Sequence, residues 1–205
     1  MKNLSFSKND ISVHFKENRA TYFMLFLCVA IGMVIGFVLA FSSSNFVTLL
    51  TSSNKKLYNL INGTADYMGL FWKKFMSFVI PTILLFLLSL NYYLSFCCYL
   101  FITYQMALFV LSGSAVVQLY AMSGFLNVLF FMLPINLVFF AVMFYEIATV
   151  LRRVRSAYKY KDFSYGFDEV FWIKLGVCVL VLALLSFCAC VVIPLFLKNA
   201  TFIIF

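Results

Sequence analysis

The sequence predicts an all-α fold, a polytopic helical membrane protein of about five transmembrane helices, and three observations carry that reading. Hydrophobic residues make up 65% of the 205 positions, charged residues 11%, and Phe alone numbers 27, more apolar surface than a soluble core of this length can hide. The apolar residues fall in blocks of bilayer length, since about 20 residues rising about 1.5 Å each cross a hydrocarbon core of about 30 Å. Nearly all the charge lies between those blocks. A formal charge of +8 would suggest nucleic acid in a soluble protein. Here the basic residues flank the spans and read as topology determinants, so no nucleic-acid partner is expected.

The chain reads as a single membrane domain over 1–205. Residues 1–19 form a polar head that holds the only histidine, His14, expected to be solvated. The first span, 20–41, has no charge. Small residues Ala40 and Ser42 would suit a signal peptidase, but the apolar region exceeds the usual length of about 7–15 residues, so the span is expected to be retained. Gly32 and Gly36 form a G-x-x-x-G inside it, the spacing that lets a second helix backbone approach closely. The neighbour is either another span of the chain or a partner.

Residues 42–74 make an outer loop. Leu57, Leu60 and Ile61 share a helical face, and Tyr67, Leu70, Phe71 and Trp72 precede Lys73 and Lys74. Apolar residues at helical spacing beside Trp and Lys suggest helices lying in the interface, with Trp72, Lys73 and Lys74 as anchors, or a docking face. Asn62-Gly63-Thr64 and Asn199-Ala200-Thr201 match the glycosylation sequon, a short pattern with meaning only in a eukaryotic secretory host.

From Phe75 to Leu111 the chain is apolar for longer than one span. It is divided at Asn91 into spans of about 75–90 and 92–111. Gln105, in the third span, is expected to form an interhelical hydrogen bond. The fourth span, 125–149, carries Leu133-Pro134-Ile135-Asn136: Pro134 frees a carbonyl about one turn earlier and predicts a kink, and Asn136 needs a partner on a neighbouring helix. Asn127 and Asn136 are nine residues apart, on roughly opposite faces at about 100° per residue, so they do not define a polar track. Glu146 is the only acid within a span, and an intramembrane ionisable group is a functional candidate by default. Its place one turn from the cytoplasmic end of the span, seven residues before Arg153, predicts that it snorkels to that end or pairs with the basic cluster.

Residues 150–169 follow as a basic loop in which Arg152, Arg153, Arg155, Lys159 and Lys161 alternate with aromatic residues, a composition suited to anionic lipid headgroups. The fifth span is 170–197. With the N-terminus inside, Lys2, Lys8, Lys16, Arg19, Lys174 and the five basic loop residues lie on or near the cytoplasmic side, against Lys55, Lys56, Lys73, Lys74 and Lys198 outside. Ten against five predicts N-in and C-out. Lys73 and Lys74 are the misfit.

Cys28, Cys97, Cys98, Cys178, Cys188 and Cys190 all fall in spans, where they serve as small hydrophobes, and neither a disulfide framework nor a metal site is implied. The single histidine lies outside the spans, no aspartate lies within one, and no H-E-x-x-H, P-loop or G-x-G-x-x-G occurs. The spans therefore lack the groups of common membrane hydrolases and of nucleotide sites, and neither an enzyme nor a cofactor is expected.

The layout resembles the stage II sporulation protein M family of bacterial integral membrane proteins. Matching features are Phe15-Lys16-Glu17-Asn18-Arg19 with Tyr22 just inside the first span, the Gly32–Gly36 motif, a long outer loop, two closely spaced spans, Gly124-Phe125 leading into Leu133-Pro134-Ile135-Asn136, a basic loop and a final span. The family's second and third spans are usually glycine-rich with charge at their turn, whereas Asn91-Tyr92-Tyr93-Leu94 is uncharged. The resemblance implies a non-catalytic scaffold of the bacterial cell membrane, partnered by other membrane proteins and by peptidoglycan hydrolases, in sporulation or another process of peptidoglycan remodelling. The alternative, favoured by Pro134, Asn136, Gln105 and Glu146, is a small permease or the membrane subunit of a transporter.

Overall fold

In a computed structural model of the chain, residues 8–42, 67–91, 93–160 and 169–192 are described, and they contain helices and tight turns but no strand. The helices are α1 (Lys8–Glu17), α2 (Arg19–Ser42), α3 (Tyr67–Leu90), α4 (Ser95–Asn127), α5 (Leu133–Tyr160) and α6 (Glu169–Phe187). A π-helical turn, Val128–Met132, joins α4 to α5, and a second one, Cys188–Val192, follows α6. Five stretches are long and apolar enough to cross a membrane: Arg19–Ser42, Phe71–Leu88, Ser95–Gln118, Ala121–Lys159 and Phe171–Cys190.

Packing follows narrow stripes, because lipid accepts apolar side chains as readily as a neighbouring helix does. On α2 the buried residues Thr21, Tyr22, Leu25, Cys28, Gly32 and Gly36 recur at helical spacing, while Phe23, Phe26, Val34, Phe37 and Val38 on the other faces are exposed. That stripe lies along α4, the most extensive helix pair in the bundle. The core gathers Phe78 and Leu85 of α3, Cys98 and Ile102 of α4, Met143, Ile147 and Leu151 of α5, and Leu182 of α6 around Leu25 of α2.

Short-range chemistry sets the turns. Between α3 and α4, the Asn91 side-chain oxygen accepts from the Tyr93 N–H at 3.0 Å and its carbonyl from the Leu94 N–H at 3.1 Å. The next reversal is sharper. Ala121 adopts φ 50°, ψ −120° inside the helical run, and a Cβ built on Gly113 would lie 3.5 Å from Val128, a contact that fifteen residues of straight helix, about 22 Å, would forbid.

Several boundaries differ from those the sequence suggests. The third apolar helix continues past Leu111 to Gln118, and the fourth begins at Ala121 rather than 125. The stretch between is apolar enough to stay helical once one residue reverses the chain. α3 starts at Tyr67, so Trp72, Lys73 and Lys74 belong to a helix continuous with the second span, not to a separate interfacial helix. α5 runs on to Tyr160, so Arg152, Arg153, Arg155 and Lys159 stand on helix rather than loop. The cause is amphipathic: Val150, Leu151, Val154 and Ala157 are buried on the opposite face, and Val150 and Val154 pack with Phe171 of α6. Lys161, Leu57, Leu60, Ile61, both sequons and the chain beyond Val192 lie outside the described residues.

Candidate functional site

Several polar side chains in the apolar helices are satisfied by their own helix. Thr82 donates to Phe78 O at 2.8 Å, Thr103 to Tyr99 O at 3.0 Å and Ser186 to Leu182 O at 2.8 Å, back-bonding that removes a hydroxyl from competition. Asn136 behaves the same way. Its amide donates to Met132 O at 2.8 Å, within its own chain turn, rather than reaching the neighbouring helix that the sequence suggests. The π-helical turn immediately before Pro134 widens the backbone, and Met132 lies where its carbonyl faces that amide. Pro134 itself is exposed on the bundle surface, and Gln105 is half-buried on α4.

Among the described residues Glu146 is not satisfied in this way. It is 3% exposed, and both carboxyl oxygens are buried without a hydrogen-bond partner, as is Thr149 Oγ1 one turn further on. The expected pairing with the basic cluster does not form. Arg153 instead places its guanidinium over the Phe171 ring at 5.0 Å, and Arg152 pairs with Glu17 at the end of α1. Arg153, seven residues on, shares the helix face of Glu146, but its guanidinium is turned onto the aromatic ring of α6 instead. Arg155 and Lys159 are exposed.

The surroundings of Glu146 come from three helices. Tyr145, Thr149 and Val150 of α5 and Phe171, Lys174, Leu175 and Cys178 of α6 line with it a cavity of about 10 Å³, room for one water molecule. Cys98 of α4 and Cys178 of α6 both lie within electrostatic reach of the carboxyl group. The Tyr145 hydroxyl is close to Thr149 without completing a hydrogen bond in distance and angle. A bare carboxylate so enclosed costs several kcal/mol. Such a group carries a proton or takes a partner.

The N-terminal head reaches this region. Asn18 Nδ2 donates to His14 O at 2.9 Å, and the His14 and Tyr22 side chains share a hydrogen bond of 3.2 Å. The His14 ring lies 5.1 Å from that of Tyr145. His14 is thus half-buried rather than solvated. Burial first, then the positive charges of Lys174 and Arg152, hold its imidazole below the usual histidine range against the opposing pull of Glu17. Sequence reasoning missed Thr149, Tyr145 and Lys174 as neighbours of Glu146. Thr149 had a signal, being at i+3 on the same helix face.

Gly32 and Gly36 meet α4 of the same chain. A Cβ on Gly32 would stand 2.6 Å from Thr103 O, and one on Gly36 2.8 Å from Ala107 O. At the far end of α3, Trp72 is exposed beside Phe71 and Phe75, and the Lys74 ammonium lies 4.8 Å from the Phe78 ring centre. Lys73 is exposed. Among the described residues no cluster of three or more His, Cys, Asp or Glu could hold a metal ion. Comparison of the chain with protein-family models, with curated proteins and with solved structures returns no match, so its function is read from these residues.

Proposed function

We propose that the protein is a non-catalytic membrane scaffold, a five-span frame of the cell membrane that holds peptidoglycan hydrolases at its surface. The observation that carries the frame is the backbone contact of Gly32 and Gly36 with α4, which locks the first span to the third without room for sliding. The hydrolase as partner class comes from the resemblance to the stage II sporulation protein M family. In this reading the end of the bundle bearing His14, Arg152 and Lys174 faces the cytoplasm, where Arg152, Arg155 and Lys159 meet anionic headgroups. Removing the protein from its host should shift peptidoglycan-hydrolase activity from the membrane fraction to the soluble fraction. An unchanged distribution rejects the scaffold.

A second reading, a small permease or transporter subunit, is favoured by one observation, the two unpartnered oxygens of Glu146. The cavity beside it holds about one water, too little for an organic solute in this conformation. Flux of a solute into proteoliposomes that stops in Glu146→Gln at equal protein level would establish that reading.

A further inference from the structure

We propose that Glu146 is a reversible proton-binding site, exchanging one proton with a single water in the cavity between α5 and α6 and taking the Lys174 ammonium as its partner when the proton leaves. This holds for a scaffold and a transporter alike, and its test does not depend on which is correct.

Geometry selects the ligand. Both oxygens of a carboxyl group that is 3% exposed lack a partner, so the fold leaves hydrogen-bonding capacity open to whatever fits beside them. The cavity of about 10 Å³ admits one water and no more, which excludes an organic ligand. A metal cation is disfavoured by the donor set. The polar groups besides the carboxyl are one hydroxyl, Thr149, the Tyr145 phenol and the Cys178 thiol, with the positive Lys174 on the same wall, and a hard cation needs about six oxygens. A proton needs only the carboxyl group.

The groups around the site fit that assignment. From α4 comes Cys98; from α6 come Lys174 and Cys178; on α5 itself stand Tyr145 and Thr149, while α3 brings apolar Phe78 and Leu85 to the core. Lys174 is the one basic side chain among these, half-buried on a long, rotatable stem. The step balances simply. The carboxyl O–H bond breaks, the proton passes to the cavity water as hydronium and leaves, and the negative carboxylate that remains is matched by the ammonium. Proton return reverses it and frees Lys174. Because Glu146 is on α5 and Lys174 on α6, the exchange alters the contact between two helices. The His14 ring lies tilted beside that of Tyr145, 5.1 Å between centres.

The test uses the full-length protein in lipid vesicles and dicyclohexylcarbodiimide, a hydrophobic reagent that modifies protonated carboxyl groups in apolar surroundings. Mass spectrometry of the labelled peptide should place the adduct on Glu146. Above the midpoint, the initial rate of labelling should fall about tenfold per pH unit, the slope of a one-proton titration. Lys174→Gln should move that midpoint, and Lys73→Gln should not. Sodium or potassium should give no protection at constant pH. No adduct on Glu146, labelling that ignores pH, or protection by either metal ion would overturn the proposal. The wild-type titration stands alone, so it remains decisive if either lysine variant fails to fold.

Discussion

Replacing Gly36 with Ala should destabilise the bundle through a single added methyl group. The new Cβ would lie 2.8 Å from Ala107 O and 2.8 Å from Val110 Cβ, whereas ordinary contacts begin at 3.4 Å. Relief needs 3.4 − 2.8 = 0.6 Å of separation between α2 and α4, and at Gly32 it needs 3.4 − 2.6 = 0.8 Å from Thr103 O. A gap of about 0.5–1 Å forfeits about a quarter to a half of each van der Waals well along the seam, and overpacking of this kind costs about 1–3 kcal/mol. Alanine returns about 0.5–1 kcal/mol in helix preference, leaving a net loss of up to about 2.5 kcal/mol and a deficit of about 1–3 kcal/mol against an alanine placed where nothing is overpacked. The chain supplies its own controls. A Cβ on Gly113 meets Val128 at 3.5 Å, and one on Gly176 meets nothing within 4 Å, so both alanine variants should be as stable as the parent or slightly more so. The assay is unfolding of the purified protein in mixed micelles, with all four variants run side by side. A Gly36→Ala protein as stable as Gly176→Ala would refute the close contact and with it the locked frame.

Three further outcomes follow from the same geometry. His14 should make the docking of α1 acid-sensitive: its folded-state pKa lies below the ordinary 6.5, so its contribution is complete above about 6.5 and is lost as pH falls through the lower folded value. Proteolysis of the head should rise on acidification and lose that dependence in His14→Gln. Ala121→Gly should stabilise the protein by up to about 1 kcal/mol, because φ 50° is a glycine conformation that costs other residues about 1–3 kcal/mol; a loss of stability on unfolding in micelles would contradict the sharp reversal there. Asn136→Ala should cost no more than about 1 kcal/mol, since its amide bonds Met132 O on its own chain turn, and a larger loss would mean that a neighbouring helix is its true partner.

The apolar blocks were legible because lipid constrains them by length and composition alone, and Asn91 marked its turn because its short amide can cap the backbone locally. Boundaries were not legible where one residue decides. Ala121 carries no turn signal, and its φ of 50° together with the closeness of Gly113 to Val128 shows that the chain reverses there. The basic stretch after Glu146 read as a loop from its charge, while the buried face of Val150, Val154 and Ala157 makes it helix. Glu146 was identifiable as the lone intramembrane acid. Its lack of a partner was not, because that depends on Phe171, in another helix, holding Arg153 over its ring.

The most direct measurement of the scaffold itself is quantitative affinity capture of the tagged protein from its host membrane in mild detergent, with every co-purifying chain identified. A peptidoglycan hydrolase recovered in fixed ratio to the protein, and lost when the frame is loosened by Gly36→Leu at undiminished protein level, is the result expected. Recovery of the protein alone, or with an ATPase in place of a hydrolase, would contradict the scaffold reading.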